Sequence, residues 1–259
     1  MMRVYKIGGS VVEDGAALDR FCRDFAALPG DKVLIHGGGV TASALQRALG
    51  SEPVKIEGRR VTDADALKAA VFAYAGWCNK ILVATLQKYG CNAIGLAGCD
   101  ANVITAARRA PLTLSDGRTV VDFGYVGDVC RESVNADVIR GLCDMGTVPV
   151  LCAINHDGEG QLLNTNADTI ASSVAAATGA GLVCCFEMDG VLERKDDPSS
   201  LIRRISAAEF ERLKADGTVT EGMIPKIENC LYALRNGACS ARIMNASSIT
   251  GDVCTEIIL

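Results

Sequence analysis

The chain has 259 residues, of which 49% are hydrophobic and 22% charged. Those proportions exclude a disordered or collagen-like polymer and suit one large α/β domain or two lobes sharing a sheet. Lys and Arg number 26 against 31 Asp and Glu, and aromatics are 5%, which argues against a general binder of nucleic acid or of an anionic membrane.

Short β-branched runs predict strands at Arg3–Ile7, Lys32–His36, Asn92–Leu96, Val148–Ile154, Gly181–Phe186 and Ala241–Met244. Helical patterns separate several of them, the alternation expected of βαβ units around a mostly parallel sheet. Pro53–Thr62 and Ala101–Val129 break the alternation. Punctuated by Gly58, Asp116-Gly117 and Gly127, they read as hairpins or turns that decorate a sheet edge or cover a site. Over Ser133–Met145 the residues Val134, Val138 and Leu142 fall at i, i+4 and i+8, and Gly146 is placed to end that helix. A second strand–loop–helix series begins at Gly181, so a soft lobe boundary is expected near residues 170–180, dividing the chain into 1–175 and 176–259.

Twelve cysteines occur without a Cys-x-x-Cys pair, and Met1–Lys6 lacks the apolar core of a signal peptide. Most thiols sit in apolar runs, as Cys152 does within Val150–Ile154 and Cys184-Cys185 after Leu182-Val183. They read as small buried hydrophobes in a reducing, cytoplasmic compartment. The longest apolar stretch, near 167–186, is broken by Asp168, serines and glycines, so no membrane span is expected.

No P-loop, G-x-G-x-x-G fingerprint, G-x-S-x-G elbow or H-E-x-x-H is present. Any phosphate chemistry therefore needs another cradle, and two glycine turns offer one. Lys6-Ile7-Gly8-Gly9-Ser10 and His36-Gly37-Gly38-Gly39 each lead from a strand into a helical pattern. Glycines there let backbone N–H groups approach phosphate oxygens, and ligands of open α/β sheets gather beyond the strands' C-terminal ends. Lys6 lies within a strand, an expensive place for an ammonium unless it meets an anion.

Asn164-Thr165-Asn166-Ala167-Asp168 opens a helix with ordinary cap chemistry. Gly222-Met223-Ile224-Pro225-Lys226 opens another, with Lys226 facing an unfavourable dipole end and Ile227, Leu231 and Leu234 forming a buried stripe. Gly58-Arg59-Arg60-Val61-Thr62-Asp63 supplies a planar guanidinium suited to gripping a carboxylate. Spacing alone does not choose between Arg59 and Arg60.

These five segments, in this order, resemble the amino-acid kinase family, and within it the N-acetylglutamate kinase branch. The likeness runs from about Lys6 to Ile257. The glycine turns are shared across the family, whereas Arg60-Val61-Thr62 and Asn164-x-Asn166-Ala167-Asp168 point to the acylglutamate branch. The resemblance implies a three-layer αβα sandwich. In it the N-terminal lobe holds the acylated amino acid and a dimer partner, and the C-terminal lobe holds ATP.

It also implies ATP-dependent phosphorylation of the γ-carboxylate of N-acetyl-L-glutamate, or of a close N-acyl relative, to an acyl phosphate in arginine biosynthesis. Lys6 and Lys226 would touch the transferring phosphoryl group, with Asp168 holding both ammonium groups. Gly8 and Gly9 would meet ATP phosphates, Gly37 and Gly38 the attacking carboxylate, and Arg60 and Asn164 the α-carboxylate end. The adenine pocket would begin at Glu187–Leu192, with Asp189 and Gly190 on the ATP side. Mg²⁺ would be held mainly by phosphates, with no dedicated protein ligands. Small-molecule substrates and a homodimer are the expected partners, with no nucleic acid and no membrane.

Three departures from the family pattern bear on the acyl group: Glu187 where aspartate is usual, Gly98-Cys99-Asp100-Ala101 for Gly-Lys-Asp-Gly, and Cys254-Thr255-Glu256-Ile257 for Gly-Thr-x-Ile. An altered rim admits a longer acyl chain, so N-succinylglutamate stands as an alternative substrate; another carboxylate kinase of the same fold, such as glutamate 5-kinase, is a second alternative, and a non-catalytic ligand-binding regulator the one of another class. Arginine-inhibited family members carry an extra N-terminal helix; this chain begins on its first strand, so weak or no arginine feedback is expected.

Overall fold

The structure is a computed structural model that describes residues 1–194, 197–219 and 222–259. Eight strands form the central sheet: β1 (Arg3–Ile7), β2 (Lys32–His36), β3 (Ala93–Leu96), β4 (Val148–Cys152), β5 (Gly181–Phe186), β6 (Arg204–Ser206), β7 (Ser240–Asn245) and β8 (Cys254–Ile258). Their spatial order is β6-β8-β7-β5-β1-β2-β4-β3. Every neighbouring pair is parallel except β7–β8. β1 is the pivot: β2, its successor, lies on one side, and β5, from the later half of the chain, on the other. Such a reversal of strand order opens a crevice at the strands' C-terminal ends.

The helices are α1 (Gly9–Glu13), α2 (Gly15–Ala27), α3 (Gly39–Ala48), α4 (Ala64–Val71), α5 (Asn79–Lys88), α6 (Ala136–Asp144), α7 (Ala167–Thr178), α8 (Ala207–Ala215) and α9 (Ile224–Arg235). They cover both sheet faces, so the parallel strands read as near-continuous apolar runs. On one face Tyr5, Ile7, Leu34 and Val183 pack with Phe21 and Phe25 of α2 and Leu82 and Leu86 of α5. On the other, Val4, Ile35, Leu182 and Ile243 pack with Ile170 and Val174 of α7 and Ile227 and Leu231 of α9. Strand alternation therefore puts Lys6 on the α7 side, opposite Tyr5 and Ile7. Lys32, also buried, donates to the carbonyls of Phe25, Ala26 and Leu28 and so closes the end of α2.

The helix expected from Ser133 begins at Ala136, because Asn135 caps it by accepting from the Val138 N–H. A 3₁₀ turn over Arg131–Ser133 precedes it, and Val134 is buried in extended conformation outside the helix. Its end falls as expected, with Gly146 at φ +74°. The run Val148–Ile154 splits: β4 stops at Cys152, and Ile154–His156 turns to pair antiparallel with Leu162–Asn164. β6 and β8 were not foreseen. Arg204 and Glu256 sit opposite each other in register, and their charges mask the short apolar alternation.

The hairpin read at Pro53–Thr62 pairs Lys55–Ile56 with Arg59–Arg60. The Ala101–Val129 segment forms two short ladders, Ala107–Arg108 with Gly127–Asp128 and Leu112–Thr113 with Val120–Val121. Among the described residues, one helical run, Ala64–Lys88, is long and apolar enough to cross a membrane by length and composition. Ala66, Ala69, Ala70, Ala73, Leu82 and Leu86 on it are buried within the protein body. All twelve cysteines are free thiols and eight are buried.

Candidate active site

β5, β1 and β2 are parallel neighbours, and each ends in a turn facing the same crevice: 186–190, Gly8-Gly9 and Gly37-Gly38. The two glycine turns abut, since a Cβ built on Gly9 would lie 3.7 Å from Gly39 N and 3.8 Å from Gly38 Cα. Glu13 ties them together, its Oε1 accepting from Thr41 N at 2.9 Å and Thr41 Oγ1 at 3.0 Å. Gly38 is also pressed from behind, where a Cβ would meet Cys78 Sγ at 2.8 Å and Tyr74 Cδ1 at 3.0 Å. Those two side chains come from the π-helical turn Phe72–Cys78 that joins α4 to α5. The N-cap of α3, Gly38, has no side chain, and Glu13 takes the Thr41 N–H, so the N–H groups of Gly39 and Val40 are the ones left for an anion.

His36 is fully buried, with Nδ1 2.7 Å from the Gly37 carbonyl and Nε2 3.1 Å from Asn79 Nδ2. Nδ1–H therefore donates to the carbonyl and Nε2 accepts from the amide, which assigns a neutral ring. Burial pushes its pKa down to about 4, against the pull of the Gly37 contact. The second turn thus offers backbone donors rather than an imidazolium.

Lys6, 7% exposed, makes a 2.7 Å ion pair with Asp168 Oδ1. Asp168 sits in the first turn of α7, whose cap Asn166 accepts from the Asp168 N–H. α7 packs on α9 through Ser172 and Asn229, which brings Lys226 in the first turn of α9 to the same place. Lys226 Nζ donates to the Gly222 carbonyl at 2.8 Å. Burial lowers its pKa, nearby Asp168 raises it, and Lys6 lowers it. Two cations and one carboxylate thus share a partly desolvated corner of the crevice. Both ammonium groups also lie over the Phe186 ring, which the sequence reading missed.

Beside Lys226 is a hollow of about 250 Å³ lined by Met188, Val191, Leu192, Thr218, Val219, Gly222 and Met223. Its walls are mostly apolar and its mouth carries the cation, the chemistry that a purine with a phosphate tail needs. Thr255 braces the wall: its Oγ1 accepts from Val191 N at 2.8 Å and donates to the Ile202 carbonyl at 2.7 Å. Gly190 is pressed on the same residue, a Cβ there lying 2.4 Å from Thr255 Oγ1. Asp189 does not line this hollow; it accepts from Asn245 Nδ2 at 3.0 Å. The Glu187 side chain is exposed, and its carbonyl accepts from the same Asn245.

On the other flank the Arg60 guanidinium donates to Gln46 Oε1 at 2.9 Å, the Gly39 carbonyl at 2.8 Å and Ser43 Oγ at 2.6 Å. Three of its five donors are used in holding it at the start of α3, which leaves two for a ligand. Arg59 is exposed, so the structure separates two residues that spacing left equal. Asn164, buried, donates from Nδ2 to Thr62 Oγ1 at 3.1 Å. Thr62, Tyr125 and Asn164 are stitched by backbone bonds: Tyr125 N to Thr62 O at 2.7 Å and Asn164 N to Tyr125 O at 2.9 Å. Gly124 permits this, since a Cβ there would lie 2.3 Å from Thr62 O. Gln46, Ser43 and Thr62 were not foreseen as a set; α3 periodicity marks only a buried face there.

A family model described as the amino acid kinase family matches residues 1–245. The acetylglutamate kinase of Bacteroides thetaiotaomicron is 45% identical over 260 residues, covering 99% of this chain and 98% of that protein. That of Bacteroides fragilis is 44% identical, covering 99% and 96%. Among solved structures, the N-acetylglutamate synthase of Neisseria gonorrhoeae, complexed with coenzyme A and N-acetyl-glutamate, superposes with a TM-score of 0.80 at 25% identity. This chain is covered to 99% and spans 59% of that longer one. The strand order, the paired glycine turns and these full-length likenesses agree: the chain belongs to the amino acid kinase family.

Proposed function

We propose that this chain transfers the γ-phosphoryl group of ATP to the γ-carboxylate of N-acetyl-L-glutamate, giving an acyl phosphate, a step of arginine biosynthesis carried out in the cytoplasm. The observation that carries the reading is the convergence of Lys6, Asp168 and Lys226 between the two glycine turns and the apolar hollow. A side-chain carboxylate is already ionised near neutral pH, so the reaction needs no general base. The obstacle is electrostatic. Two unit charges 4 Å apart repel by about 4 kcal/mol at an effective dielectric near 20.

Lys6 and Lys226 offset that repulsion where charge shifts during transfer, and Asp168 keeps Lys6 aimed. Gly8 and Gly9 bring N–H groups to the phosphates, and Gly37 and Gly38 bring them to the attacking carboxylate. Arg60 and Asn164 hold the α-carboxylate end. The hollow takes the adenine, with Asp189 and Gly190 in the turn behind its wall. No cluster of His, Cys, Asp or Glu able to hold a metal lies among the described residues, so Mg²⁺ would be carried by the ATP phosphates and would supply charge neutralisation there. In this reading residues 1–175 hold the acyl amino acid and 176–259 hold ATP, on one continuous sheet. Leu112–Val121, at the tip of the long hairpin, closes over the acyl phosphate and keeps water out. A second copy of the chain covers the exposed Phe72 and Trp77, which are 49% and 67% accessible on one helical run.

The test is ADP release with hydroxylamine trapping on N-acetylglutamate, N-succinylglutamate and free glutamate. Turnover of N-acetylglutamate well above free glutamate is expected. Preference for free glutamate, or no ATP-dependent hydroxamate with any of the three, refutes the assignment.

A further inference from the structure

Phe186 ends β5 at the floor of the crevice, half-buried against the core on the α7 side. Lys6 Nζ lies 5.2 Å from its ring centroid and Lys226 Nζ 4.4 Å from the same centroid. Both distances fall in the range where a ring quadrupole attracts a cation. Among the described residues, two ammonium groups meet one carboxylate here. Asp168 pairs at contact distance with Lys6 alone. Lys226 has a backbone carbonyl as its hydrogen-bond acceptor and makes no ion pair among the described residues. One positive charge is thus left in a partly desolvated place beside another.

The groups acting on Lys226 from the packed elements are Asp168 of α7, Lys6 of β1 and Cys184 of β5, the last in contact with Cys230 of α9. Their sulfurs lie 3.8 Å apart and buried, and the Cys184 contact together with burial pushes the Cys230 thiol well up. Beside Asp168 and the Gly222 carbonyl, the ring face adds negative potential at Lys226 among the described residues. An aliphatic side chain of similar volume would fill the space and lack that potential.

The geometry points to Phe186 as a positioning residue for phosphoryl transfer, its ring face holding the Lys6 and Lys226 ammonium groups together before any phosphate arrives. This rests on the phosphotransferase reading above and adds a role for a side chain that touches neither substrate. The ring acts before substrate binds, because it keeps Lys226 charged and aimed in a site with no anion. An aromatic ring of any kind supports it, and shape alone does not.

The experiment compares wild type with Phe186→Leu, Phe186→Tyr and Phe186→Trp. For each, kcat and KM are measured across pH, the unfolding midpoint is recorded, and Lys226 is titrated without substrate by ¹³C NMR at its Cε. Phe186→Leu is expected to lower kcat by about tenfold, the scale of one partly desolvated cation–π contact. KM for the acyl amino acid should stay near wild type, and both the alkaline limb and the Lys226 midpoint should move to lower pH. Tyr and Trp should restore all three. If Leu matches wild type, if Leu, Tyr and Trp all fall alike, or if the Lys226 midpoint does not move, the ring is packing only and the inference is overturned. The NMR arm needs no turnover, so it decides this question even if wild type fails to phosphorylate N-acetylglutamate.

Discussion

Lowering pH from 7.5 to 5 perturbs one buried group in a calculable way. His36 titrates near 6.5 when unfolded and at about 4 in the folded chain, where burial disfavours the charged ring. Its folded pKa is depressed, so its contribution to stability is complete above pH 6.5 and is lost as pH falls towards 4. Those two midpoints give a loss of about 2 kcal/mol at pH 5, a large share of the roughly 5–15 kcal/mol typical of a domain. Urea unfolding followed by far-UV circular dichroism measures it at each pH. Fluorescence is a poorer probe, because the single tryptophan, Trp77, is 67% exposed. The other histidine, His156, is part-exposed, and Asp197, pushed down to about 2 by Ser199 and Arg194, titrates below the window. His36→Gln should be less stable at pH 7.5 yet lose little more at pH 5. Equal losses of stability in wild type and His36→Gln between the two pH values would refute the role of His36.

Lys6→Ala and Lys226→Ala should each lower kcat by on the order of a hundredfold or more, since their charges matter most as negative charge shifts. An unchanged kcat with either would detach that lysine from the chemistry. Arg60→Lys keeps the charge but loses the fork that engages Gln46, Gly39 and Ser43. KM for the acyl amino acid should rise by about tenfold or more with ATP affinity intact; weakened ATP binding alone would contradict the substrate role. Gly38→Ala drives a methyl into Cys78 and Tyr74, and a melting curve should show about 1–3 kcal/mol of lost stability. Ala101 holds φ +51° in a turn where Asn102 also has φ +51°. Left-handed backbone costs alanine about 1–2 kcal/mol, partly offset by glycine's extra freedom when unfolded, so Ala101→Gly should raise the melting temperature by about 2 °C.

The parallel sheet was legible because strands buried on both faces leave apolar runs that loops do not. β1, β2 and β5 have the bounds expected from their apolar runs. β6 and β8 lie where the sheet meets water and carry Arg204 and Glu256, so their alternation dissolves into charge. The lysines and Asp168 could be read one by one, but their meeting depends on α7 packing against both β1 and α9. Spacing could not tell Arg60 from Arg59, and only the family resemblance singled out Arg60, since the physical choice is made by Gln46 and Ser43 on a helix begun about twenty residues earlier. Phe186 gave no motif at all. Its role arises only when β1 and the start of α9 bring their ammonium groups over one ring at the end of β5.

β1 is the one strand that both halves of the sheet hold in common, and Lys6 stands on it. Neighbouring strands are about 4.8 Å apart, so in the proposed reading the gap between phosphoryl donor and acceptor would follow the pitch of hydrogen-bonded backbone. Donor and acceptor would then share one continuous sheet, with much of their alignment set at folding. Substitutions that loosen the contact of β1 with β5 should therefore slow the reaction by misregistration while the chain is still fully folded.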